Sequence, residues 1–106
     1  MKLFDTPRIE DGCLSVALNG EIDSHAAGQL RAAFALVVRD EQVINLHINM
    51  RGVTLMDSSG IGLLVGWYRT VSGRGGRVYL DDVQPVVARV LGISGMRSIL
   101  HIKEVA

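Results

Sequence analysis

Residues 56–66 read MDSSGIGLLVG, one carboxylate and two hydroxyls directly ahead of a glycine-spaced apolar run. A serine hydroxyl can act as an activated nucleophile, cap a helix or accept a phosphoryl group. Nucleophilic catalysis needs a base within hydrogen-bond reach and a third group to orient that base. Ser58 lacks the G-x-S-x-G elbow, and His25, His47 and His101 lie in separate segments with no triad context, so no catalytic residue is assigned. Capping suits the residue types: Asp57, Ser58 or Ser59 can each accept a hydrogen bond from the free N–H groups of a first helical turn, worth about 1 kcal/mol. One cap takes one side chain, so three candidates leave at least one hydroxyl free. At a strand-to-helix junction on the carboxyl edge of a sheet, where ligands and partners dock, a free serine is a natural modification site.

Glycines surround the hydroxyls. Within a helix a glycine costs about 1 kcal/mol relative to alanine, so each needs a compensating reason. Gly62 and Gly66, four residues apart, are expected to let a helix lie close on the sheet. Gly60, in the first turn, removes bulk where a partner or a kinase active site would have to reach the hydroxyl. The other glycine cluster, SGRGG at residues 72–76, lacks the G-x-x-x-x-G-K-[ST] phosphate loop and follows a helix, so it reads as a helix-to-strand turn with no nucleotide cofactor. Arg74 and Arg77 beside it read as a solvated rim. The histidines form no close ligand motif and Cys13 stands alone, so no metal site and no internal disulfide are expected.

The elements that must position MDSSG follow from periodicity and turn chemistry. Asp11-Gly12 is a hairpin signal between strands over 3–9 and 13–19, with Leu14, Val16 and Leu18 on one face of the second. The segment from Glu21 to Ser24 closes that strand and offers Asp23 or Ser24 as N-cap for a helix over 26–39, whose stripe is Ala26, Leu30, Ala33, Phe34 and Val37. Residues 43–50 alternate as a strand, with Ile44, Leu46, Ile48 and Met50 set against Asn45, His47 and Asn49. Ile61, Leu64, Val65 and Tyr68 then mark an amphipathic helix ending near Ser72-Gly73. A strand over 77–81 follows. Pro85 opens a third helix with Val86, Val87, Val90 and Leu91 on one side and Gly92 at its end, and 98–102 forms the last strand. The order β-β-α-β-α-β-α-β implies an α/β fold with a mixed, mostly parallel sheet of about five strands and helices packed on it.

Composition agrees. At 106 residues the chain is the size of one domain, 1–106, and with 48% hydrophobic but only 5% aromatic residues its core must be built from Val, Ile, Leu and Ala. Eleven basic and eleven acidic residues cancel, which removes the field that phosphate-backbone binding relies on and makes nucleic acid an unsuitable partner. No apolar stretch is long enough to act as a signal peptide or to span a bilayer, so the expectation is a soluble protein without membrane insertion. The unpaired Cys13 fits a reducing cytoplasm.

At MDSSGIG the chain resembles the STAS family, and within it the small stand-alone anti-sigma-factor antagonists of bacterial partner-switching systems. The resemblance also rests on Gly20-Glu21-Ile22-Asp23, on Gly75-Gly76, and on Leu91-Gly92-Ile93-Ser94-Gly95-Met96, four landmarks in the right order. It implies that Ser58, the serine directly after the motif aspartate, is phosphorylated by a partner that is both anti-sigma factor and serine kinase, with Ser59 the lesser alternative. Unphosphorylated protein would bind that partner and free the sigma factor, and a separate serine phosphatase would reset the switch. Asp23 matches an acidic position near the phosphoacceptor, and Asp23, Asp57, Ser58, Ser59, Gly60 and Ile61 are carried over as the partner-binding surface. The alternative is a STAS scaffold, stressosome-, secretion- or transport-linked, that does not act on a sigma factor.

A phosphate adds about −1.5 to −2 charge at pH 7, which a helix N-terminus favours by roughly 0.3–1 kcal/mol. Phosphorylation is therefore expected to act in the interface and not on the fold; a penalty of about 3 kcal/mol there weakens binding roughly 100-fold. The family usually continues past the last strand into another helix, whereas these residues stop at Ala106, with the C-terminal helix shortened or absent. The sheet face that helix would cover is then exposed, or covered by a partner or a second copy, which leaves self-association open.

Overall fold

Asp11 and Gly12 take φ of 51° and 77°, the two left-handed positions of a tight hairpin turn, and join β1 (Arg8–Glu10) antiparallel to β2 (Cys13–Ile22). The chain continues through α1 (Ser24–Arg39), β3 (Asn45–Met56), α2 (Ser58–Ser72), β4 (Val78–Val83), α3 (Pro85–Ile93), a 3₁₀ turn (Met96–Ser98) and β5 (His101–Glu104). The computed structural model describes residues 2–106. The five strands lie in the order β1-β2-β3-β4-β5, and every pairing after the first is parallel. This is the mixed, mostly parallel sheet expected from the order of elements.

One face of the sheet carries the core. Leu14, Val16 and Leu18 of β2, Leu46, Ile48 and Met50 of β3, and Val78 and Leu80 of β4 are all buried, and they join the buried faces of the three helices in one apolar cluster. Burying such side chains contributes about 1.5–3 kcal/mol each before entropy is counted. Phe34 sits at its centre, edge-to-face with Phe4 at 4.8 Å and Trp67 at 5.7 Å. The intervening residues Ser15, His47, Asn49, Tyr79 and Asp81 form the other face, which holds a shallow basin of about 360 Å³. Tyr79 is stacked there between His47 and His101, at 4.4 and 4.9 Å.

Several boundaries differ from those expected. The first strand is confined to Arg8–Glu10 because Pro7 has no N–H to donate; upstream, Phe4 makes only an isolated bridge to Leu18. β3 runs on to Met56, past a register shift in which Ala17 pairs with Asn49 but Asn19 with Gly52. That bulge places Met50, Val53 and Met56 inward at a spacing of three and hides the strand from a period-two reading. β4 extends to Val83 through Asp82 at φ 53°, and β5 begins at His101 because Gly95 (φ 74°) turns the chain into the 3₁₀ segment first. α1 starts at Ser24 and buries Ala26, Ala27, Leu30, Phe34 and Val38, while Ala33 is exposed and Val37 half-buried. α3 buries Val87, Ala88 and Leu91 but exposes Val86, and it runs one residue past Gly92.

Arg74 is no rim residue. Its guanidinium donates to the carbonyls of Val43 at 2.7 Å, Asp40 at 3.1 Å, Thr70 at 3.4 Å and Val38, so it ties the ends of α1 and α2 to the entry of β3. Gly75 beside it takes φ 80°, and a Cβ on Gly76 would stand 1.7 Å from the Ile44 carbonyl oxygen. Only glycine permits that helix-to-strand passage. Arg77 is exposed, as expected.

Candidate functional site

β2 and β3 end in step. Ile22 pairs with Met56, and the Asp57 N–H donates to the Ile22 carbonyl at 3.3 Å. Each strand then passes through one extended aspartate into a helix. Asp23 caps α1, its Oδ1 accepting from Ala26 N–H at 2.9 Å, and Asp57 caps α2, its Oδ1 accepting from Ser59 N–H at 2.8 Å and Gly60 N–H at 3.3 Å. Of the three side chains able to cap α2, the aspartate does so. Neither the Ser58 nor the Ser59 hydroxyl makes a hydrogen bond among the described residues. Ser58, first residue of the helix, is exposed; Ser59 is half-buried.

The result is a ledge on the carboxyl edge of the sheet, with two helix N-termini side by side, a carboxylate at each, and one exposed hydroxyl between the cap and the solvent. A small cleft of about 50 Å³ opens in it, lined by Glu21, Ile22, Asp23, Leu55, Met56 and Asp57. No histidine is hydrogen-bonded to Ser58 or Ser59 among the described residues, and His47 lies on the open sheet face with its Nδ1 3.7 Å from Asp81 Oδ2. The arrangement presents an exposed hydroxyl directly after the helix cap.

The glycines behave differently from what their spacing suggests. Gly60 is buried, and a Cβ there would stand 2.5 Å from Met56 Cγ and 3.1 Å from the Ile22 carbonyl oxygen. It lets the first turn of α2 press onto the strand ends and does not clear a path for a partner. Gly62 and Gly66 are exposed, with nothing within 4 Å of a Cβ at either, so they contribute no close approach to the sheet. The face of α2 turned inward is Gly60, Leu63, Leu64, Trp67 and Val71, one position round from the stripe expected. Ile61 is half-buried against the core.

Two ledge residues, Glu21 and Leu55, escape a sequence reading. They are cross-strand partners, both exposed, and Leu55 lies beyond the β3 bulge, where alternation no longer reports orientation. The signal available was Glu21 itself, one step from Ile22 and two from Asp23 in a segment already tied to the site.

Fold and ledge together define a STAS domain, and the family model for that domain matches residues 6–105. The chain belongs to the STAS domain family. Among curated proteins it is 33% identical over 91 residues to an anti-sigma F factor antagonist of Paenibacillus polymyxa, covering 86% of this chain and 78% of the relative. Among solved structures it is similar to the anti-sigma factor antagonist SpoIIAA in its unphosphorylated form, with TM-score 0.81 and 29% identity over 93% of this chain and 86% of that one. The phosphorylated form of the Bacillus cell fate determinant SpoIIAA superposes with TM-score 0.74 and 28% identity, over 93% of this chain and 89% of that one. No helix among the described residues is long and apolar enough to cross a membrane.

Proposed function

We propose that this protein is an anti-sigma-factor antagonist in a bacterial partner-switching system, acting by binding and not by catalysis. Unphosphorylated, it binds an anti-sigma factor that is also a serine kinase, and the sigma factor is released. Phosphorylation of Ser58 breaks that complex, and a serine phosphatase restores it; all of this takes place in the cytoplasm. The observation that carries the reading is the free, exposed Ser58 hydroxyl beside a helix cap that Asp57 already supplies. The likeness to antagonists of known structure in unphosphorylated and phosphorylated forms supports it.

The physics of the switch follows from that cap. Asp57 already occupies the N–H groups of Ser59 and Gly60, so a phosphate on Ser58 gains the field of the helix N-terminus but not those donors. It stands instead beside Asp57 and Asp23. In solution the dianion is hydrated and the domain keeps its fold; within an interface shaped for a hydroxyl it must be stripped of water next to two carboxylates. Incubating wild type and Ser58→Ala with Mg-ATP and a soluble extract of the source cells, then comparing intact masses, tests the reading. One phosphate on wild type and none on the variant is expected; phosphate on both moves the acceptor, with Ser59 next in line.

A further inference from the structure

Leu55 is 47% exposed at the end of β3, although its neighbours Val53 and Met56 are fully buried. A single exposed leucine on a protein surface is ordinary. This one lies in the ledge cleft with Glu21, Asp23 and Asp57 around it, and none of the ion pairs among the described residues engages any of those three carboxylates. The patch thus combines an apolar centre with an acidic ring that no basic side chain among the described residues pairs, and it adjoins Ser58.

We infer that Leu55 is the apolar anchor of the surface that docks the anti-sigma factor, and that the partner's matching surface is an apolar cleft rimmed by lysine or arginine. The inference rests on the function proposed above and adds to it the contact that holds the partner while Ser58 is presented. Charge complementarity selects the occupant: a second copy of this chain would bring the same three carboxylates against themselves, whereas a basic rim pairs with them and steers the encounter. An apolar side chain desolvated inside a polar ring is also the arrangement in which binding energy concentrates at protein interfaces. The rim cations pair with Glu21, Asp23 and Asp57, so a phosphate on Ser58 is a surplus dianion beside two carboxylates, and the cost of desolvating it unpaired lifts the partner from Leu55.

Initial rates of Ser58 phosphorylation, followed by intact mass in the same extract at rising substrate concentration, test this. Leu55→Ala should raise KM at least about tenfold, as loss of an interface anchor does, with a smaller change in kcat. Glu21→Lys should raise KM several-fold, and for wild type KM should climb with added salt. Leu36→Ala is the control: Leu36 is 84% exposed, about 18 Å of helix from the α1 N-terminus, and its removal should change nothing. Thermal melts matching wild type exclude misfolding of each variant. Leu55→Ala with a wild-type KM overturns the inference and leaves the proposed function standing. No phosphate on wild type overturns the proposed function, and the inference with it.

Discussion

Ile22 and Met56 are register partners at the ends of neighbouring parallel strands, and this pairing sets the capping aspartates of two successive helices side by side. Each aspartate satisfies its own helix through hydrogen bonds to the first-turn N–H groups. Asp57→Ala should therefore cost about 1 kcal/mol of stability, and Asp57→Asn much less, since asparagine caps as well while losing the charge. Urea midpoints of the two variants separate cap from charge. An Asp57→Asn protein that is wild type in stability but altered in phosphorylation rate would assign the carboxylate to the interface.

Ser58 takes no part in the cap, so its substitution should not be felt by the fold. Ser58→Ala and Ser58→Asp are both expected within about 0.5 kcal/mol of wild type in thermal unfolding, the range of an exposed position without partners. Ser58→Asp should nonetheless lose the kinase partner in a pull-down from the source extract, while Ser58→Ala retains it. A Ser58→Asp protein that melts well below wild type would move the effect of charge from the interface to the fold.

The glycines of α2 should divide by where their missing Cβ would point. At Gly60 a methyl meets Met56 and the Ile22 carbonyl, and overpacking of this kind costs about 1–3 kcal/mol. At Gly62 and Gly66 it meets nothing, so alanine gains helix propensity, about 1 kcal/mol each, which raises Tm by about 4 °C in a domain of this size. Opposite signs in calorimetry for Gly60→Ala and Gly66→Ala are the expected outcome. A destabilised Gly66→Ala would mean that a neighbour occupies the space beside it.

Turn and cap residues made the order of elements legible, since Asp11-Gly12, Asp23, Pro85 and the glycines near Ser72 each do one job wherever they occur. Faces were harder. α2 is apolar almost all round, from Ile61 through Trp67 and Tyr68 to Val71, and two stripes one residue apart, about 100° of rotation, satisfy the same spacing. Only tertiary packing chooses between them. β3 was lost where its register slips, and with it Leu55, because a bulge changes which parity faces inward. At the ledge, residue type narrowed the cap to three neighbours, and the choice of Asp57 depended on geometry that no spacing encodes. Arg74 went unseen for a simpler reason: its partners are backbone carbonyls, which carry no mark in a sequence.

Those carbonyls make Arg74 the sharpest test of the architecture behind the site. Val38 and Asp40 leave α1 at its last turn, Thr70 leaves α2, and Val43 enters β3; one planar guanidinium reaches all four. A charged donor to a carbonyl is worth about 1.5–3 kcal/mol, and its removal leaves partly buried acceptors without a partner. Arg74→Ala should lose about 2–3 kcal/mol, measured as a shift in urea midpoint at unchanged slope. Arg74→Lys should recover only part of this, because an ammonium is a point donor and cannot span carbonyls from separate segments. Arg77→Ala, three residues on and exposed, should stay within about 0.5 kcal/mol of wild type. A loss at Arg74→Ala as small as that at Arg77→Ala would return Arg74 to the solvated rim and leave the junction of α1, α2 and β3 to be held by Gly76 and the core alone.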